Sequence, residues 1–353
     1  MVTNEMVSTS ELLQRWNGLL SQSPDMRIRE AASRLGVSEA RLVAATCGAK
    51  SVRLQPRWES LLAGIAAFGP VMALTRNDSA VHEKTGVYEN ISVQGHVALV
   101  VGEAIDLRIF LHCWTYAFAV RDELPNGRIR RSVQFFDNAG EAVHKVFLIA
   151  DSDEEAFEDY VRTHRAEDQS ASLPSEIVIK EPVEKPDSEI DVEGFREAWL
   201  ALKDTHDFFP MTRKYGVSRT QALRLAPEGY ARRVKPSSIR NVFYSARDSA
   251  LPIMVFVGNR GCIQIHTGPV KRLVDVRGWF NVLDGEFDLH LRDSDATDVW
   301  VVRKPGDEGI VTSVELFDDK GRNIALLFGA RKPGIPEKPE WTALAESLES
   351  IEG

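Results

Sequence analysis

His206 is the residue with most chemistry to offer. It lies in Lys203-Asp204-Thr205-His206-Asp207-Phe208-Phe209-Pro210, a polar stretch turning apolar between two helical patterns. A surface or capped loop histidine is the ordinary outcome there. The chemical alternative is an imidazole ligand to iron. A neutral imidazole suits haem iron, and the loop would set it beside an apolar slot containing Phe208 or Phe209. No second His or Cys lies nearby in sequence, so a closed site of protein ligands alone is not expected. The cations form a second constellation. Arg108 sits in the apolar run Ile105-Asp106-Leu107-Arg108-Ile109-Phe110-Leu111, where strand alternation turns an arginine outward. Arg219, Lys304 and Arg331 are surface charges by default. Collectively they could supply the fixed donors that a ligand with two carboxylates needs, arginine giving a two-pronged contact.

Other groups offer less. His82-Glu83 and His112 with His144 lack metal-ligand spacing. Gly258-Asn259-Arg260-Gly261 reads as a turn between strands, because no helix with Lys-Ser or Lys-Thr follows it. No nucleophile-elbow motif gathers the scattered serines. Trp279 and Trp300 read as core.

The elements that must position these residues occur twice. Asp106-Leu107-Arg108 and Asp288-Leu289-His290 open matching stretches 182 residues apart, and at that spacing Met72 and Asn77 match Met254 and Asn259. Ser132-Val133-Gln134-Phe135-Phe136-Asp137 matches Ser313-Val314-Glu315-Leu316-Phe317-Asp318. The place matching His206 falls near Met26 and holds no histidine. Each repeat starts helical, at residues 10–16 and 195–200. A second helix ends at Gly36-Val37-Ser38 and again at Gly216-Val217-Ser218, where Gly suits a helix end and Ser caps the next helix. Third helices begin at Glu39 and Arg219. Past about residues 70 and 250 the pattern becomes β-rich, with hairpin loops at 137–140 and 318–321. This predicts an α+β tandem repeat: residues 1–164, a Pro- and Ser-marked linker at 165–194 with room for one short strand at 177–179, then 195–353. Two sheets stacked face to face would leave a cleft between the halves.

Composition bounds the rest. The 353 residues suffice for two domains with real cores, without disulfides. Three dispersed cysteines fit a reducing cytosol. The N-terminus shows no basic-then-apolar signal, and the most apolar stretch, 61–74, is broken by Gly64, Gly69 and Pro70, so no membrane-embedded segment is expected. Residues 31–42 look like a DNA-reading helix–turn–helix, with Arg41 available. However, Ala44, Ala45 and Thr46 read bases poorly, and a net charge of −9 opposes nucleic acid, leaving helix packing as the better reading.

At these residues the chain resembles the HemS-type haemin-degrading factors of bacterial haem utilisation. The shared pieces are Ala80-Val81-His82-Glu83 with Gly86, residues 106–111 and 132–137, His206-Asp207-Phe208-Phe209, residues 253–262, and Arg303-Lys304-Pro305 followed by Thr312-Ser313. The resemblance covers nearly the whole chain. It implies stacked antiparallel sheets flanked by helices, with haem (iron protoporphyrin IX) between the halves. By motif match His206 is the axial iron ligand, and Arg108 reaches over the opposite face, the catalytic side if the chain is an enzyme. Arg219, Lys304 and Arg331 match basic positions lining the haem site, and Phe256 matches an aromatic near the ring. Where the family often carries Tyr, this chain has Phe328, which donates no phenolic hydrogen bond. The implied role is cytoplasmic: receiving haem from an inner-membrane importer and delivering it to an acceptor. The alternative is reductant-dependent ring opening, with electrons from outside, since no flavin or nicotinamide motif is evident. One strong iron ligand opposite a non-coordinating arginine suits either role.

Overall fold

In the computed structural model the described residues are 8–124, 126–173, 183–331 and 334–351. The stretch 177–179 lies outside them. The chain divides into two compact units. Unit 1 holds the described residues within Met1–Thr75, Lys84–Ile179 and Asn259–Ile263, and unit 2 those within Arg76–Glu83, Lys180–Gly258 and Gln264–Gly353. Each unit therefore takes a short segment from the other half of the sequence.

The first half gives α1 (Thr9–Gln22), α2 (Ile28–Leu35), α3 (Glu39–Ala45), β1 (Ser51–Arg53), α4 (Trp58–Ile65), β2 (Val71–Arg76), β3 (Ala80–Gly86), β4 (Ile91–Gln94), β5 (Val97–Val101), β6 (Asp106–Phe110), β7 (Tyr116–Glu123), β8 (Ile129–Phe136), β9 (Ala142–Leu148) and α5 (Glu154–His164). The second half repeats the order with α6 (Val192–Leu200), α7 (Phe208–Tyr215), α8 (Arg219–Arg224), β10 (Ala231–Val234), α9 (Ser238–Asp248), β11 (Ile253–Gly258), β12 (Cys262–Gly268), β13 (Leu273–Val276), β14 (Trp279–Leu283), β15 (Phe287–Leu291), β16 (Asp298–Gly306), β17 (Gly309–Phe317), β18 (Asn323–Gly329) and α10 (Pro339–Glu346). The fold is α+β, a tandem repeat.

Local chemistry sets the helix ends as the spacing predicts. Gly36 and Gly216 close α2 and α7 at φ of 67° and 66°, a left-handed turn that glycine adopts without Cβ strain. Ser38 then caps α3 by accepting from Arg41 N–H at 3.1 Å. Ser218 and Gln221 form a reciprocal capping box on α8. In α3 Glu39, Ala40, Leu42, Val43 and Ala44 are buried, so its face is spent on unit 1's own core and not on base edges.

In unit 1 the antiparallel order is β1-β7-β8-β9-β2, with β4-β5-β6 as a meander. In unit 2 it is β10-β16-β17-β18-β11, with β13-β14-β15. Matching asparagines fasten the exchanged segments. Asn77 accepts from the Ser79 and Ala80 N–H groups at 3.0 and 2.9 Å and donates to the Gly258 and Ile324 carbonyls at 3.1 and 2.8 Å. Asn259 accepts from Gly261 and Cys262 and donates to the Val143 carbonyl at 2.9 Å. Phe195, Trp199 and Phe208 fill the core under α6 and α7, and fully burying such a ring contributes about 1.5–3 kcal/mol. Trp300 is core as expected; Trp279 is only half-buried, its ring covered by Arg292 at 4.6 Å.

Candidate functional site

The His206 turn, Thr205–Asp207, is a single turn of tight helix leading into α7. Its cap is Asp204, whose Oδ1 accepts the His206 backbone N–H at 2.8 Å and faces His206 Nδ1 at 2.6 Å. The backbone N–H of His206, then its ring and the nearby Arg331 charge, hold the Asp204 carboxyl below its usual range. An ionised carboxylate on Nδ1 fixes that nitrogen as the donor and leaves Nε2 with its lone pair outward. The side chain is 84% exposed, so nothing within unit 2 covers it. The two phenylalanines part ways. Phe208 is buried, edge-on to Trp199 at 4.7 Å, while Phe209 is 64% exposed.

Two of the cations converge on a carboxylate that the sequence had hidden. Glu315, fully buried on β17, receives a two-pronged contact from Arg219 at 2.9 and 2.7 Å and the Lys304 ammonium at 2.6 Å. Both cations lie over the Phe208 ring, at 4.7 and 4.8 Å. Burial alone would raise the Glu315 pKa, yet Arg219 and Lys304 hold it well below the carboxylate range. Burial, reinforced by the Arg219 charge, brings Lys304 down to about 8 against the pull of Glu315. Lys304 is thus no surface charge. Its ammonium is spent on Glu315, whereas Arg219 keeps part of its side chain exposed. One net positive charge remains in the cluster at neutral pH.

Beside it lies an apolar ledge. Met254 pairs across the sheet with Phe328 and Phe256 with Leu326, all four half-buried on one face. Phe328 and Leu326 in turn face Ser313 and Glu315 on β17, so the ledge abuts the cation cluster. The Phe256 and Phe328 rings meet at 5.0 Å. Unit 2 therefore gathers His206, Asp204, Arg331, Arg219, Lys304, Phe256 and Phe328.

Arg108 belongs to unit 1. It alternates outward between buried Leu107 and Ile109, as expected, and its guanidinium is ion-paired with Asp106. Its cross-strand neighbour Leu99 and the partly exposed Val97 and Val101 make that face apolar. Among the described residues no group of three or more His, Cys, Asp or Glu could hold a metal ion, and no helix is long and apolar enough to cross a membrane.

The model of the haemin-degrading HemS/ChuX domain matches residues 36–164 and again 216–348. The chain belongs to the HemS family. A HemS-family relative, the hemin transport protein HmuS of Yersinia pestis, is 36% identical over 333 residues, covering 94% of this chain and 95% of that one. Holo-PhuS, a heme-binding protein from Pseudomonas aeruginosa, is 48% identical with a TM-score of 0.95, over 98% of this chain and all of that structure. The heme-degrading enzyme ChuS of Escherichia coli O157:H7 is 32% identical with a TM-score of 0.90, over 97% of this chain and all of the other.

Two residues of this candidate site escaped sequence reasoning. Asp204 stands two residues before His206, at N-cap spacing for a turn, and that was its available signal. Glu315 replaces Gln134 of the first repeat inside an otherwise apolar strand, a departure between copies that marks it.

Proposed function

We propose that this chain binds haem on unit 2 and carries it within the bacterial cytoplasm, taking it from an inner-membrane importer and passing it to an acceptor. The observation that carries the reading is the exposed His206 imidazole, held by Asp204 so that Nε2 is the free ligating nitrogen. Haem is an apolar plate with an ionised edge. The Met254, Phe256, Leu326 and Phe328 ledge suits the plate, and Arg219 and Arg331 suit the carboxylates. Covering several hundred Å² of apolar surface at about 25 cal/mol per Å² gives several kcal/mol of gross driving force, before association losses. Phe328 adds ring area but no hydrogen bond. A single strong protein ligand fits a cargo that must leave. In this reading residues 1–164 and 195–353 are the repeats, 165–194 links them, and Arg108 is the distal group.

The named activity of the Escherichia coli relative favours a second reading, reductant-dependent ring opening. Incubating the haem complex with ascorbate and catalase separates the two: loss of the Soret band with a defined tetrapyrrole product makes the chain an enzyme, and an intact band makes it a carrier. Haem binding itself is tested by absorbance titration of wild type and His206→Ala. We expect stoichiometric uptake with a shifted Soret band and weaker binding in the variant; an identical spectrum would refute His206 ligation.

A further inference from the structure

The repeat lets each unit serve as a control for the other. At matching positions Thr75, Tyr88, Trp114, Phe135, His144 and Cys262 of unit 1 correspond to Val257, Val270, Ala296, Leu316, Ala325 and Ala80 of unit 2. All six unit 2 residues are buried in one apolar cluster. The same fold is therefore completed there with hydrocarbon and no hydrogen bonds. Burying a phenol, an imidazole, a hydroxyl and a thiol instead carries a desolvation cost that their mutual bonds at best offset. Stability does not explain the polar set.

Its geometry does suggest chemistry. The Tyr88 hydroxyl lies 2.5 Å from His144 Nε2, and His144 Nδ1 lies 2.8 Å from Thr75 Oγ1, which donates to Cys262 Sγ at 3.5 Å. A neutral imidazole has one donor and one acceptor nitrogen. The Thr75 hydroxyl gives its hydrogen to Cys262, so its oxygen accepts from Nδ1–H and Nε2 accepts from the phenol. Aromatic rings lead away from the pair. Phe135 stacks beside His144 at 6.4 Å, Trp114 stacks on Phe135 at 4.2 Å, and the half-buried Trp58 meets Trp114 edge-on at 5.7 Å.

We propose that Tyr88 is a redox-active tyrosine, oxidised by one electron through Trp114 and Trp58 while its phenolic proton passes to His144. The electron leaves the phenol for the oxidant, the O–H bond breaks, and Nε2 takes the proton, leaving a neutral tyrosyl radical beside an imidazolium. A one-electron reductant of the ascorbate class reverses both transfers. Burial holds the imidazolium of His144 down to about 3. An oxidised phenol is a far stronger acid than that, so the transfer stays downhill. The natural oxidant we assign is peroxide reacting at haem iron, and that clause rests on the haem-binding proposal.

The test uses the full chain without haem, so its outcome does not depend on haem binding. A flash-quenched ruthenium tris-bipyridine photo-oxidant is applied, and radicals are trapped by freezing for electron paramagnetic resonance. Wild type should give a tyrosyl signal, Tyr88→Phe should lose most of it, and Tyr160→Phe, whose hydroxyl donates to the Leu61 carbonyl and has no base, should keep it. Trp114→Phe should lower the yield without touching Tyr88. His144→Leu should abolish the long-lived neutral radical. No tyrosyl signal in wild type, or an undiminished one in folded Tyr88→Phe, overturns the proposal; an unchanged signal in His144→Leu overturns the proton acceptor.

Discussion

Replacing Asp204 with Ala separates ligand orientation from ligand identity. The carboxylate makes two contacts at His206, 2.8 Å to the backbone N–H and 2.6 Å to Nδ1. The first shapes the turn, and losing such a cap costs about 1 kcal/mol locally. The second fixes the ring, and losing such a partner typically costs 10–100-fold in metal affinity. At about 1.4 kcal/mol per decade that is roughly 1.4–2.7 kcal/mol of haem binding. Both side chains are largely exposed, at 84% for His206 and 59% for Asp204, so global unfolding should move little. The assay is absorbance titration with ferric haem, beside a urea melt of the same samples. Asp204→Ala should weaken binding about 10–100-fold and keep an imidazole-type spectrum. His206→Ala should lose both, and Asp204→Asn, which keeps an oxygen acceptor without charge, should fall between wild type and Asp204→Ala. Unchanged affinity in Asp204→Ala, alongside a large loss in His206→Ala, would refute the orienting role.

Lys304 should make haem binding pH-dependent. With its pKa down at about 8, the cluster loses its surplus positive charge as pH rises through that value, so affinity should fall from neutral toward alkaline pH. A bound carboxylate that raises this pKa by one unit gives about a tenfold fall, which Lys304→Met should abolish in the same titrations. In the haem-free protein the folded value lies below the ordinary 10.5, so the unfolded chain binds the extra proton. Stability should therefore rise between about pH 8 and 10.5 in denaturant melts, and Lys304→Met should remove that rise. Arg108→Ala should retain haem binding but change the pH titration of the haem spectrum and any ring-opening rate; identical behaviour counts against a distal role. His144, at about 3 when folded against 6.5 ordinarily, is neutral in the folded core. The unfolded chain takes up that proton between those values, so unit 1 should lose about 1.4 kcal/mol per pH unit as pH falls through that window. Acid melts of His144→Gln should lack this slope.

What the sequence made legible follows from which interactions are local. The turns at Gly36 and Gly216, the caps at Ser38 and Ser218, and the starts of α3 and α8 fall where the spacing puts them, because caps and turns are satisfied within a few residues. Arg108 alternates outward because strand period alone decides it. The helices α4, α5, α9 and α10 were missed, although Asp153 caps α5 by accepting from Ala156 N–H and Pro339 opens α10; Gly64 and Pro70 drew attention as breakers of an apolar run, not as marks of a helix at Trp58–Ile65. The exchange of Arg76–Glu83 and Asn259–Ile263 between units was invisible, since it depends on contacts far apart in sequence. So did the burial of Lys304, whose partner Glu315 stands eleven residues away across a hairpin. A lysine next to Arg303 and Pro305 looks solvated until its counter-charge is found.

The two copies also explain why haem chemistry should favour the later one. Beneath the first residue of the third helix, each unit buries an ion pair, but with reversed polarity. In unit 1 Glu39 is bonded to Lys145, with the neutral Gln134 and Ser132 alongside. In unit 2 the helix supplies Arg219, the strand position of Gln134 becomes Glu315, and Lys304 is added. The first arrangement sums to zero charge and the second to plus one. Buried pairs contribute little net stability, because desolvation offsets their attraction, so the added cation is not explained by folding. An anionic ligand beside His206, which the duplicate lacks, would explain it. Copying a fold and then unbalancing one buried pair would give one half a field for carboxylates that the other half does not have.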